Sequence, residues 1–236
     1  MKNSWLLAKR DLNSIFMNSL IAPIILFIFW ELSGFFFYIF LVSAQIASLE
    51  GFIPNMIIIL ALSIPIIVAR AFPEERKNNT LELLYTSPVS DTEIYFGKFI
   101  AYNLFSLIMI SPVIIYTGIL FIIGRPEILP LLFSLLGYLL LTIFFTTISL
   151  LISSISNNQV VAAMISWVVL LIISLIDWLK NIVYKPFFKT LISNLSYQEH
   201  LSNLSKGFLD LNALLYFIVF IGVIIYINIT LIESKK

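Results

Sequence analysis

The chain has no cysteine and a single histidine, His200. Disulfides and thiol chemistry are thereby excluded, and Cys/His metal sites nearly so. Charge is also scarce: 11% of the 236 residues are Asp, Glu, Lys or Arg, against 60% hydrophobic. A soluble domain carries about 25% charged residues, so this chain lacks the polar surface to face water on all sides. With a mean hydropathy of +1.03, its main solvent must be lipid. The net charge of +1 leaves no basic stripe for nucleic acid. No nucleophile–base pair or metal-ligand cluster suggests an enzyme. The first residues lack the small-residue cleavage site of a signal peptide and include Asp11, so they read as retained sequence.

What is present is apolar run after apolar run. A span needs about 20 mostly apolar residues. Six segments qualify: 21–42, 53–69, 99–123, 129–152, 159–176 and 211–232. The uncharged stretch 128–176 is too long for one span, and the polar cluster Ser153-Ser154-Ile155-Ser156-Asn157-Asn158 divides it. Pro23, Pro65 and Pro112 fall within or near spans, where neighbouring helices can satisfy the freed backbone groups. Ahead of the first span, residues 2–19 carry Trp5, Ala8, Leu12, Ile15 and Phe16 on one helical face, with Lys2, Lys9, Arg10 and Asn13 elsewhere. That pattern predicts an amphipathic helix in the membrane interface, or else a plain lead-in to the span. The expected fold is an all-α polytopic membrane protein, residues 1–236 forming one transmembrane domain.

An even number of spans puts both termini on one side. That side holds Lys2, Lys9, Arg10, Arg70, Arg76, Lys77, Lys98, Lys235 and Lys236; the other holds Arg125, Lys180, Lys185, Lys189 and Lys206. Nine basic residues against five favour cytoplasmic termini. Loop 177–210 is then extracytoplasmic, and its Phe187, Phe188, Leu191, Ile192 and Leu195 suggest short helices at the outer interface.

The segment Arg70–Lys98 concentrates the scarce charge: Glu74, Glu75, Glu82, Asp91 and Glu93 with Arg70, Arg76, Lys77 and Lys98. It cannot cross a bilayer and must stand in water between spans. Within it, Leu81, Leu84 and Tyr85 share one face of a short helix that Pro88 ends. Asn79 suits either a left-handed turn or an N-cap. Ser90-Asp91-Thr92-Glu93 has the spacing of a capping box opening the next helix. The apolar face needs a cover, either a cleft on a partner or the inner ends of the bundle.

Ala71-Phe72-Pro73-Glu74-Glu75-Arg76, then Thr80-Leu81-Glu82-Leu83-Leu84, Thr86-Ser87-Pro88-Val89-Ser90 and Gly97-Lys98 resemble the signature of type-2 ABC transporter permeases. The likeness is greatest to the branch holding the gliding-motility and multicopper-enzyme-maturation permeases. Lys9-Arg10-Asp11-Leu12, Leu32-Ser33-Gly34-Phe35-Phe36, Ile152-Ser153-Ser154 with Asn158-Gln159, and Ser193 to Asp210 extend it along the chain. Asn79-Thr80 stands where relatives usually have Gly-Thr, and Tyr197 where they often have His. The resemblance implies a permease subunit in the cytoplasmic membrane, acting as an exporter beside a second permease, identical or paralogous. Its 70–98 loop would carry a coupling helix that docks on a separate ATP-hydrolysing subunit. The docking residues implied are Glu74, Glu75, Arg76, Thr80, Leu81, Glu82, Leu84, Tyr85, Thr86, Ser87 and Pro88. ATP and magnesium would bind that partner, because this chain has no phosphate-binding G-x-x-x-x-G-K-[ST] and no other cofactor pattern.

Glu31 stands apart. It lies about 15 Å into the first span, where a carboxylate is costly and usually functional, unless the span tilts or breaks around Ser33-Gly34 and lets it reach outer water. Two other functions remain open on sequence. A mechanotransmitter would use the same ATPase to move loop 177–210 against an outside protein. An ion-gradient transporter would need an intramembrane path of ionisable groups, to which Glu31 alone contributes.

Overall fold

In a bilayer the backbone must satisfy its own hydrogen bonds, so long apolar runs become helices. The computed structural model describes residues 2–17, 20–44, 48–49, 51–80, 89–179, 185–207 and 210–234. The helices are α1 (Lys2–Met17), α2 (Ile21–Ala44), α3 (Ile53–Val68), α4 (Pro73–Lys77), α5 (Asp91–Ile110), α6 (Pro112–Ile123), α7 (Ile128–Ile155), α8 (Gln159–Leu179), α9 (Pro186–Leu195), α10 (Tyr197–Ser205) and α11 (Leu211–Glu233). Among the described residues six helical stretches are long and apolar enough to cross a membrane, with α5 and α6 forming one of them. The chain is an all-α polytopic membrane protein.

The third span differs from a single rod over 99–123. It begins at Asp91, capped by Ser90 and Glu93 in a reciprocal capping box, and breaks at Ser111. Pro112 has no N–H to continue the ladder, so α6 starts afresh there. The Ser153–Asn158 cluster does separate α7 from α8, but later than its first serine. Ser154 bonds back to the Leu151 carbonyl and stays helical, and the turn occupies 156–158.

α3 and α7 sit at the centre. In its most apolar stretch α3 is 72% buried, against 17% for α8 and for α11, which form the rim. The contacts of α7 with α3, α5, α8, α10 and α11 make it the axle of the bundle. Lipid tails are as apolar as leucine, so close association needs small side chains and polar contacts. α7 supplies both. Its buried hydroxyls bond within the helix (Thr142 to the Tyr138 carbonyl) and between helices (Thr146 Oγ1 to Ser106 Oγ of α5, 3.1 Å). Gly137 leaves room for α10: a Cβ there would lie 2.7 Å from Leu201 Cδ1.

Thus α10 sinks into one end of the bundle. Tyr197 is fully buried and its hydroxyl shares a hydrogen bond with Ser174 of α8 (2.9 Å). His200 stacks on Tyr216 of α11 at 4.4 Å and meets the Asn194 carbonyl. By contrast α9 leaves Phe187, Phe188, Leu191 and Leu195 exposed, with Ile192 half-buried.

α1 lies along α5. Asn3 bonds Glu93 near the start of both helices, and the Phe16 and Phe105 rings meet at 5.4 Å further on, so the two run in the same direction. The buried stripe of α1 is Ser4, Ala8, Asp11 and Ile15, with Leu12 and Phe16 half-buried beside it. Trp5 lies off that stripe, 58% exposed. Gly97 permits the approach, since a Cβ there would stand 2.7 Å from Leu7 Cβ and 3.3 Å from the Ser4 carbonyl oxygen.

A charged hub at one end of the bundle

Where α3 ends, Arg70 and the turn after it lead into the five-residue α4. Pro73 occupies its first turn, Glu74 and Glu75 follow, and Arg76 and Lys77 close it, an order that suits the helix dipole. Asn79 then takes φ 55°, the left-handed turn that was one of the two roles open to it in the sequence. Thr80 Oγ1 donates back to the Glu75 carbonyl at 3.2 Å, fastening the turn.

α4 is tied to α1 and α5 through Lys98. This lysine is 2% exposed, a position untenable for a bare ammonium. Its Nζ lies 2.6 Å from Glu75 Oε2 and 3.4 Å from Asp11 Oδ2, and donates to the Ala71 carbonyl at 2.7 Å. It also stands 5.1 Å from the centre of the Phe72 ring. Arg10 bridges the same two carboxylates, to Asp11 Oδ1 at 2.7 Å and Glu75 Oε1 at 2.6 Å. Two cations and two anions from three helices thus close on one another. Burial works against the Arg10 charge, but Asp11 and Glu75 outweigh it and hold its pKa above the ordinary arginine value.

α4 is tied to α7 through Arg76 and Ser153. The Arg76 guanidinium donates to the carbonyl oxygens of Ser154 and Ser156, the latter at 2.6 Å, and to Asn157 Oδ1 at 3.0 Å. The two carbonyls are groups the C-terminus of α7 leaves without helical partners, and a cation is favoured there. Ser153 is spliced into the α3–α4 junction. Its Oγ accepts from the Phe72 N–H (3.2 Å) and donates to the Ala69 carbonyl (3.1 Å).

Of the residues singled out in the sequence, Glu75 and Arg76 therefore spend their hydrogen bonds inside the chain, and Glu74 pairs with Arg70 at 3.3 Å. Thr80 is exposed at the edge of the hub. Leu81, Glu82, Leu84, Tyr85, Thr86, Ser87 and Pro88 lie outside the described residues. Glu31 is in an unbroken α2, on the outward face it shares with Phe27, Ile28, Phe35 and Tyr38. Near it, Trp30 Nε1 donates to the Met109 carbonyl and Ser33 shares a 2.7 Å hydrogen bond with Tyr116.

Asp11, Lys98 and Ser153 were not singled out as site residues in the sequence. A signal existed for the first two: a lysine set directly against the apolar run that begins at residue 99, and an aspartate spaced with Ser4, Ala8 and Ile15 at helical intervals.

Set beside known proteins, the chain finds no match among curated ones. Residues 44–232, well over half of the chain, match the family model described as ABC-2 family transporter protein. The matched stretch begins at the end of α2 and takes in the hub's α4, α5 and α7. With six helices among the described residues long and apolar enough to cross a membrane, and a charged segment between the second and third, the chain belongs to the ABC-2 family of transporter proteins, as a type-2 ABC permease.

Proposed function

We propose that this permease converts ATP hydrolysis by a separate subunit into movement of its spans, exporting a substrate from the cytoplasm. The observation that carries this reading is the hub. α4, the segment leading to residues 81–88, is fastened by ion pairs to α1 and α5 and by Arg76 to the end of α7. A push on the loop beyond Thr80 would therefore reach three elements together, and through α7 the centre of the bundle. The partner grips Leu81, Leu84 and Tyr85, while Glu75 and Arg76 transmit. Export is favoured by the family resemblance, and the basic-residue balance favours cytoplasmic termini in the cell's inner membrane. A second permease, identical or paralogous, completes the pathway. The outward carboxylate of Glu31, unsuited to lipid, is a group such a partner would cover.

Purification from native membranes in mild detergent tests the reading. The native chain should bring down an ATPase with a phosphate-binding loop, and a form carrying Leu81→Ser, Leu84→Ser and Tyr85→Ser should not. If neither form retains an ATPase, the transporter-subunit reading loses its main support. Arg76→Ala separates transmission from docking. It should keep the ATPase bound while abolishing the change in distance between probes on α4 and α7 on trapping the nucleotide.

A further inference from the structure

Between the second half of α1 and the α3–α5 corner lies a cleft of about 460 Å³. Asp11, Ile15 and Met17 line one side of it, and Arg70, Glu74 and Tyr102 the other. Arg70 is 3% exposed, yet among the described residues its Nε and Nη2 have no hydrogen-bond partner. Among the described residues its one ion pair is the 3.3 Å contact of Nε with Glu74, whose side chain is 42% exposed. The other two carboxylates of the cleft, Asp11 and Glu75, are committed to Arg10 and Lys98. A buried guanidinium with unanswered donors is costly, so an oxygen acceptor belongs there.

We propose that the cleft holds the phosphate of an anionic phospholipid, with Arg70 as its principal ligand. Three features select this occupant. Arg70 follows directly on the apolar run of α3, the level at which headgroups begin. A guanidinium matches two phosphate oxygens in bidentate geometry. The 84% exposed Met17 gives an apolar flank for an acyl chain. The carboxylates around the cleft disfavour a doubly charged ion, so a singly charged phosphodiester fits better than free phosphate. The lipid would act as a wedge between the second half of α1 and the end of α3.

The test is native mass spectrometry of the delipidated full-length chain, titrated with phosphatidylglycerol or phosphatidylcholine of the same acyl composition. One phosphatidylglycerol should bind about fivefold more tightly than phosphatidylcholine, the scale of one basic side chain at a headgroup. Arg70→Gln should remove the preference, Arg70→Lys should keep part of it, and Lys9→Gln, on the exposed face of α1, should leave it intact. Should Arg70→Gln unfold, Met17→Glu, at an exposed position on the acyl side, must still lower phosphatidylglycerol affinity. Equal binding of the two lipids, or a preference that survives both substitutions, overturns the proposal and leaves water as the acceptor. Loss of the co-purifying ATPase in Arg70→Gln, without lipid preference in the native chain, overturns it in favour of a protein carboxylate.

Discussion

Lys98 shows how a membrane protein keeps a charge where water is absent. A bare ammonium buried there would be costly, but two carboxylates, a carbonyl and an aromatic ring surround it. Removing one member of such a pair strands the other. Lys98→Ala should therefore cost about 3–5 kcal/mol in unfolding measurements in micelles. Lys98→Ala combined with Glu75→Ala should cost less than the two singles added, because the stranded carboxylate is gone. Additive losses would mean that the 2.6 Å contact carries no coupling. Arg10 is different: with its side chain 47% exposed, its replacement should cost about 1 kcal/mol or less. Its pKa is raised, so its contribution is fully present below the ordinary arginine value and is lost only in strong alkali. Between pH 6 and 9, roughly the range in which arginine stays fully charged, stability should not vary on its account.

Among the elements, the packing of α1 on α5 and of α10 on α7 both depend on a glycine, but the two should respond differently to alanine. A Cβ at Gly97 meets Leu7 Cβ, which is fixed to the backbone, with the Ser4 carbonyl close behind. A Cβ at Gly137 meets the terminal methyl of Leu201, which can rotate away. Gly97→Ala should then destabilise by about 1–3 kcal/mol and expose α1 to protease, whereas Gly137→Ala should cost less and leave α10 protected. Equal effects would show that α1 has room to retreat. The helices were legible from sequence because apolar length and capping are local properties: the Ser90–Glu93 box appears as read, and Asn79 takes the left-handed turn, one of the two roles open to it. The face that α1 presents was legible only in part. Trp5 belongs to the apolar periodicity, but Asp11 displaces it from the buried stripe because Lys98 of α5 needs a counter-charge.

For the whole molecule, the absence of cysteine makes topology directly measurable. Single cysteines at Asn13 or Lys77 should react with an impermeant maleimide only from the cytoplasmic side, and those at Arg125 or Lys206 only from the opposite side. Labelling of all four from one side would remove the six-span arrangement, and a swap of sides would reverse the orientation. Composition alone determined that this chain lives in lipid as helices, since apolar segments of that length have no other way to satisfy their backbone. The charged interval between the second and third spans was equally plain, because charge cannot remain in the bilayer. Which charges meet was decided by tertiary structure alone. Asp11, Glu75 and Lys98 are far apart in the chain, and only the packing of α1 and α4 on α5 brings them together. The same holds for Ser153 and Arg76, which join α3 and α4 to the far end of α7. Pairing across helices depends on which faces close on one another, and no local pattern of residues encodes that.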